Sequence, residues 1–152
     1  MSVELQVVYR KAEEKDWKKV LELYNSLSDE DLYLRFFSYH RLSEEEAKKI
    51  VSGGDHYTIV VELGDKIIGE GTIYNDGEFA LVVHPNYRRM GIGTEIVKRL
   101  IEVAKEWNLC GVKFYTLPDN YPMIRIGKKL GFTLTEDEDE VFGYLKLECK
   151  KD

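Results

Sequence analysis

Val82-Val83-His84-Pro85-Asn86-Tyr87-Arg88-Arg89-Met90-Gly91-Ile92-Gly93 is the stretch from which the fold reads outward. Phe79 to Val83 is short and almost wholly apolar, as expected of a strand covered on both faces. His84-Pro85-Asn86 stops it. Beyond Gly93, Ile96, Val97, Leu100, Ile101, Val103, Ala104 and Trp107 return at near-helical spacing, with charged residues between them. This pattern predicts an amphipathic helix of about four turns. Two glycines in its first turn leave the leading N–H groups uncovered, so an anion can reach the unpaired donors and the positive end of the helix dipole. Arg88 and Arg89 add charge at the same rim, and the turn suits a dianionic group such as a pyrophosphate.

Spacing separates the known phosphate loops. A dinucleotide fingerprint needs a third small residue where this chain has Ile96, and a P-loop needs Gly-Lys-Ser/Thr, which is absent. What remains is Arg88-x-x-Gly91-x-Gly93 between a strand and a helix. The same glycines read otherwise as the makings of a tight strand-to-helix turn.

The chain has 152 residues, of which 43% are apolar, a length and composition that suit one globular domain over residues 1–152. No run of eighteen apolar residues and no signal-peptide pattern occurs, so neither membrane insertion nor export is expected. Cys110 and Cys149 lack metal-ligand spacing and are expected to be reduced thiols of a cytoplasmic protein, Cys110 as buried packing. A net charge of -6 argues against nucleic-acid binding and fits a basic partner. The acidic runs Glu44-Glu45-Glu46 and Glu136 to Glu140 also read as solvated faces. A single glutamine, Gln6, beside abundant Glu and Lys resembles thermophile usage.

Leu5, Val7 and Tyr9 alternate as a first strand, and Trp17, Val20, Leu21, Tyr24 and Leu27 form a helical stripe over Glu13 to Leu27. Ser28 is placed to cap a short helix carrying Leu32, Leu34, Phe36 and Phe37. Ser43-x-x-Glu46 has capping-box spacing, and Gly53-Gly54 closes the helix that follows. Tyr57 to Leu63 and Lys66 to Tyr74 predict a hairpin at Gly64-Asp65, and Asn75-Asp76-Gly77 turns the chain into the strand that includes Val82. Val112 to Tyr115 predicts another strand, Asn120 to Leu130 a helix, and Phe132 to Thr135 with Val141 to Cys149 a final hairpin.

The Arg88-x-x-Gly91-x-Gly93 motif resembles the acetyl-CoA signature of the GCN5-related N-acetyltransferases. In that family an Asn stands eleven and twelve residues before Gly-Phe, as Asn120 does before Gly131-Phe132. The resemblance implies an α/β (α+β) fold, a mixed, mostly antiparallel sheet of about seven strands flanked by helices. Leu32-Tyr33-Leu34-Arg35-Phe36-Phe37, Leu42-Ser43 and Glu78-Phe79-Ala80 further resemble the protein lysine acetyltransferases of the Pat group. That likeness implies a stand-alone archaeal enzyme without metal, using acetyl-CoA on a basic protein such as the chromatin protein Alba. One departure is clear: many members carry a tyrosine seven residues after the Asn, as general acid, where this chain has Gly127.

The resemblance also assigns residues. Acetyl-CoA would be held by the backbone of Leu81, Val82 and Val83, by Arg88, Arg89, Met90, Gly91, Ile92, Gly93 and Thr94, and by Asn120, which equally reads as a helix cap. Arg125, Lys128 and Lys129 stand where they could approach the outer phosphates, the lysines reading equally as solvated, and Tyr33, Arg35, Phe36 and Phe37 could shape the acceptor side, the aromatics reading equally as packing. A lysine with a pKa of about 10.4 must lose a proton before it attacks, and a carboxylate can take it directly or through water. Glu78 is the first candidate, by its match to the Pat group, and Glu70 the second. Glu78 also reads as a solvated residue after a turn. A small-amine acetyltransferase and a non-catalytic acetyl-CoA sensor remain as alternatives.

Overall fold

The computed structural model describes residues 6–36 and 40–150. Strand β1 (Val8–Lys11) leads to helices α1 (Trp17–Asn25), α2 (Asp29–Phe36) and α3 (Glu44–Ser52), and then to strands β2 (His56–Leu63), β3 (Lys66–Tyr74) and β4 (Phe79–Val83). Helix α4 (Ile92–Glu106), strand β5 (Gly111–Thr116), helix α5 (Tyr121–Lys129) and strands β6 (Thr133–Glu136) and β7 (Val141–Lys146) complete it. This is the expected order. Leu5 and Phe37 lie outside the described residues, and a single tight turn over Glu14–Asp16 precedes α1.

Local chemistry sets the boundaries. Ser43 Oγ accepts from Glu46 N at 3.1 Å while Glu46 Oε1 accepts from Ser43 N at 3.0 Å, a reciprocal cap that starts α3. Ser28 and Asp31 make the same exchange at α2, both at 3.1 Å. The three glutamates of the first acidic run fall in the first turn of α3, where the helix dipole favours them.

The strands form two antiparallel sheets, in orders β1-β2-β3-β4 and β5-β7-β6. They meet at one parallel bridge between Glu78 and Lys113, where Lys113 N donates to Gly77 O at 3.0 Å. Past that bridge β4 and β5 diverge, and the wedge between them becomes the site. Helix α4 covers one face of the first sheet. A Cβ on Gly71 would overlap Ile96 Cγ2, and one on Gly69 would crowd Ile96 Cδ1, so these glycines let α4 approach the strand. The other face lies under Val20, Leu23, Tyr24, Leu32, Ala47 and Val51 of α1 to α3.

Two packing arrangements were not legible in the sequence. Gly127 is buried on α5, and a Cβ there would come within 3.0 Å of Phe114 Cζ. Gly143 on β7 faces the same ring, and a Cβ there would overlap it. The Phe114 ring occupies a notch made by two glycines, so the position of the missing tyrosine points into core. The cysteines correct an expectation: Cys110 and Cys149 form a disulfide, with Cα atoms 4.9 Å apart, and Cys110 is exposed. Pairing of β5 with β7 causes this, since Gly111 faces Lys146 and Leu147 N donates to Cys110 O at 2.9 Å.

Candidate active site

A groove of about 550 Å³ runs between the C-terminal end of β4 and the first turns of α4 and α5. Its floor comes from the β-ladder. His84 N donates to Ile68 O and Tyr74 N to Glu78 O, so hydrogen-bonded pairs alternate through Ala80 and Val82. The alternation turns the N–H and C=O of Leu81 and Val83 away from β3, towards the wedge. Val82, expected to share that role, has its backbone in the ladder and its side chain in the core under α1 and α2. The groove therefore offers the N–H groups of Leu81 and Val83, which the ladder does not use.

The groove's outer end is the turn before α4. Arg89 (φ 65°) and Gly91 (φ 78°) adopt left-handed conformations, and no side chain caps the helix. Glu95 N donates to Gly91 O at 3.1 Å as the first helical bond, which leaves the N–H groups of Ile92, Gly93 and Thr94 without an intrahelical acceptor. The two glycines do different things. Gly91 supplies a backbone angle, whereas a Cβ on Gly93 would lie 3.0 Å from Ile126 Cδ1 and 3.4 Å from Leu81 Cδ1, closing α4 off from α5 and β4.

Arg88, Arg89, Gly91, Ile92, Gly93 and Thr94 line this groove with Asn120, Arg125 and Lys129. Met90 does not, and its side chain is 56% exposed. Lys128 is also outside the lining. Arg88 is already engaged: its Nη2 pairs with Asp31 Oδ2 on α2 at 2.9 Å, and its Nε donates to Val83 O at 3.3 Å. Burial would raise the Asp31 carboxyl, but Arg88 holds it below the usual carboxylate range. Asn120 is a helix cap, its Oδ1 accepting from Met123 N at 3.4 Å while its Nδ2 donates to Thr116 Oγ1 at 2.9 Å.

A second cavity, of about 670 Å³, opens at the other end of β4. Arg35, Phe36, Tyr74, Glu78, Ala80 and Tyr115 line it, and Asp55, Asp76 and Glu140 bring further carboxylates. Glu78 is held by its backbone. Its N–H donates to Asp76 Oδ1 at 2.9 Å, its carbonyl accepts from Tyr74 N at 2.9 Å, and it sits at the bridge joining the two sheets. A cavity with four carboxylates and one guanidinium favours a cationic guest.

Glu70 stands elsewhere. It pairs with Val82 across the ladder, four residues along β4 from Glu78 and so roughly 13 Å away. It is 0% exposed. One oxygen accepts the Tyr24 hydroxyl and the other the Thr72 hydroxyl at 2.6 Å, while Arg35 Nη2 lies 3.9 Å off. Lining neither cavity, it is out of reach of an incoming amine. Burial beside Glu70, and the hydrogen bond to it, push the Tyr24 phenol well above its usual pKa, so Tyr24 stays a donor. No sequence signal paired Tyr24 with Glu70, which are 46 residues apart.

Among the described residues no cluster of His, Cys, Asp and Glu could hold a metal ion, and no helix is long and apolar enough to cross a membrane.

Comparison with known proteins agrees with this geometry. An N-acetyltransferase of Bacillus subtilis, YnaD, itself uncharacterized, is 27% identical over 136 residues, covering 82% of this chain and 78% of its own. The GNAT domain of S. lividans PAT superposes with a TM-score of 0.84 at 21% identity, over 91% of this chain and 89% of that one. Arabidopsis thaliana NAA60, solved in complex with acetyl-CoA, gives a TM-score of 0.74 at 16% identity over 93% and 99% of the two chains. The family model of the acetyltransferase (GNAT) family matches residues 17–132, which span the groove and the turn that joins β4 to α4. The chain belongs to the acetyltransferase (GNAT) family.

Proposed function

We propose that this protein transfers an acetyl group from acetyl-CoA to the ε-amine of a lysine on a basic protein, with Glu78 as general base. The chromatin protein Alba is the candidate acceptor implied by the Pat-like segments. The reading is carried by one observation: Glu78 lines an acidic cavity that meets, at Arg35, a groove built for a phosphate-bearing ligand.

Acetyl-CoA, when bound, supplies an acyl carbon activated by sulfur. The chain supplies the rest. Free N–H groups of Ile92, Gly93 and Thr94, with Arg89, would hold the pyrophosphate. The exposed edge of Leu81 and Val83 would pair with the amides of the pantetheine arm, orienting the acyl end towards the cavity. Asp55, Asp76 and Glu140 would draw the lysine ammonium in, and Glu78 would take its proton. With Gly127 turned into the core, no tyrosine stands at that position of α5 to protonate the sulfur. A thiol of ordinary pKa near 8.5 needs little help, which supports the catalytic reading over a non-catalytic sensor.

The test is peptide-level detection of acetyl-lysine after mixing the protein, or its Glu78→Gln variant, with acetyl-CoA and basic proteins. The variant should lose about 10²–10⁴ in kcat, the usual worth of a general base, with CoA affinity unchanged. Undiminished acetylation by the variant would remove Glu78 from the mechanism. A small amine preferred by orders of magnitude in kcat/KM would reassign the substrate.

A further inference from the structure

We propose that Arg35 is a second donor to the acyl carbonyl oxygen, reaching it from α2 opposite the Leu81 and Val83 backbone. The inference rests on the acetyl-transfer reading above. Among the described residues Arg35 alone lines both the groove and the acceptor cavity, so it stands where a thioester threaded along the groove would present its carbonyl to the amine. Its side chain is 7% exposed, and its Nε is buried with no acceptor among the described residues. A buried donor without an acceptor is costly, and such a group marks strain, ordered water or a catalytic role.

The surroundings hold the charge in place without using that donor. Glu70 stands 3.9 Å from Nη2, and the guanidinium lies over the Phe36 ring at 4.8 Å. Glu70 is in turn fixed by Tyr24 and by Thr72, and Thr72 by Thr58, whose Oγ1 is 2.8 Å away. Burial alone would loosen the Arg35 proton, but the Glu70 carboxylate facing it raises its pKa above the ordinary value, and it stays charged. Arg35 is thus the donor, and Glu70 and Tyr24 are positioning residues.

The acceptor's own groups are unsuited to this donor. An anionic acceptor would face Asp55, Asp76, Glu78 and Glu140, so the partner of Arg35 is an oxygen that is neutral on arrival and gains charge in the reaction. As the amine nitrogen bonds to the acyl carbon, the carbonyl π pair moves onto oxygen. It returns as the C–S bond breaks and sulfur leaves with the bonding pair. Of the two protons lost by the ammonium, one passes through Glu78 to solvent and one ends on sulfur, giving N-acetyl-lysine and CoA thiol. A fixed donor in a buried site stabilises the oxygen most at the moment of greatest charge.

The experiment compares wild type, Arg35→Gln and Arg35→Lys in three measurements: kcat, the ratio of CoA to acetyl-CoA dissociation constants, and the infrared stretch of a 13C-labelled acetyl carbonyl bound without acceptor. Arg35→Gln should lose about 10²-fold or more in kcat, as when one such donor is removed elsewhere. It should also bind acetyl-CoA no better than CoA and shift the carbonyl stretch towards its free value. Arg35→Lys, which keeps the charge and not the fork, should fall between the two and serves if the Gln variant does not fold. Wild-type values of the ratio and the stretch in either folded variant overturn the inference while leaving acetyl transfer standing. A wild type that binds no acetyl-CoA overturns both.

Discussion

Replacing Glu70 with glutamine keeps the side chain's size and removes its charge at a site with no exposure to water. Arg35 then remains buried with its counter-charge gone. At the observed 3.9 Å and an effective dielectric of about 20, the lost attraction is about 4 kcal/mol. The new amide also turns N–H donors towards the Tyr24 or Thr72 hydroxyl, each of which donates in the native protein. Removing one partner of a buried pair costs about 3–5 kcal/mol in comparable cases, so Glu70→Gln should lose about 3–4 kcal/mol. At about 2–4 °C per kcal/mol for a chain of this size, the melting temperature should fall by roughly 10 °C. Urea unfolding at neutral pH measures the loss, and a double-mutant cycle with Arg35→Gln measures its origin. The double variant should be more stable than the sum of the single losses implies, by at least about 1 kcal/mol. A loss under about 1 kcal/mol, or additive losses, would refute the buried pair as the holder of Arg35.

Two further outcomes follow from the packing. Gly93→Val should raise the dissociation constant of CoA at least about tenfold and cost about 1–3 kcal/mol through overpacking, with Gly93→Ala milder; calorimetric titration and thermal melting report both, and native CoA affinity in the valine variant would refute the close approach of α4 to α5. Cys149→Ser should cost up to about 4 kcal/mol, the chain-entropy value for a link spanning 39 residues, and equal stability of wild type with and without reductant would show that the bond contributes nothing.

Signals confined to a few residues were legible directly. Ser43 and Glu46 cap α3, Gly64-Asp65 turns the β2–β3 hairpin, and the α4 stripe buries Ile96, Val97, Leu100 and Ile101, because capping, turn geometry and periodicity are set by neighbours in the chain. The glycines of the phosphate turn belong to the same class. Their division of labour does not, since Gly91 answers to its own φ while Gly93 answers to Ile126, on another helix. The two valines of β4 were equivalent by sequence. Only the pairing register, His84 with Ile68 and Val82 with Glu70, turns the Val83 backbone to the groove and the Val82 backbone to β3.

By itself, then, the sequence determined the order of strands and helices, the glycine turn before α4 and the family, because each rests on local spacing. Which carboxylate opens to a cavity was left to the tertiary structure. Glu70 and Glu78 lie eight residues apart in the chain, yet one is sealed under Tyr24 and Arg35 and the other lines a cavity. The same holds for the Cys110–Cys149 bond, for the ring of Phe114 filling the place of a tyrosine at Gly127, and for Arg35 at the junction of groove and cavity. Each depends on partners tens of residues distant, brought together by the divergence of β4 from β5 and by burial. Burial and long-range register carry no signature in local spacing.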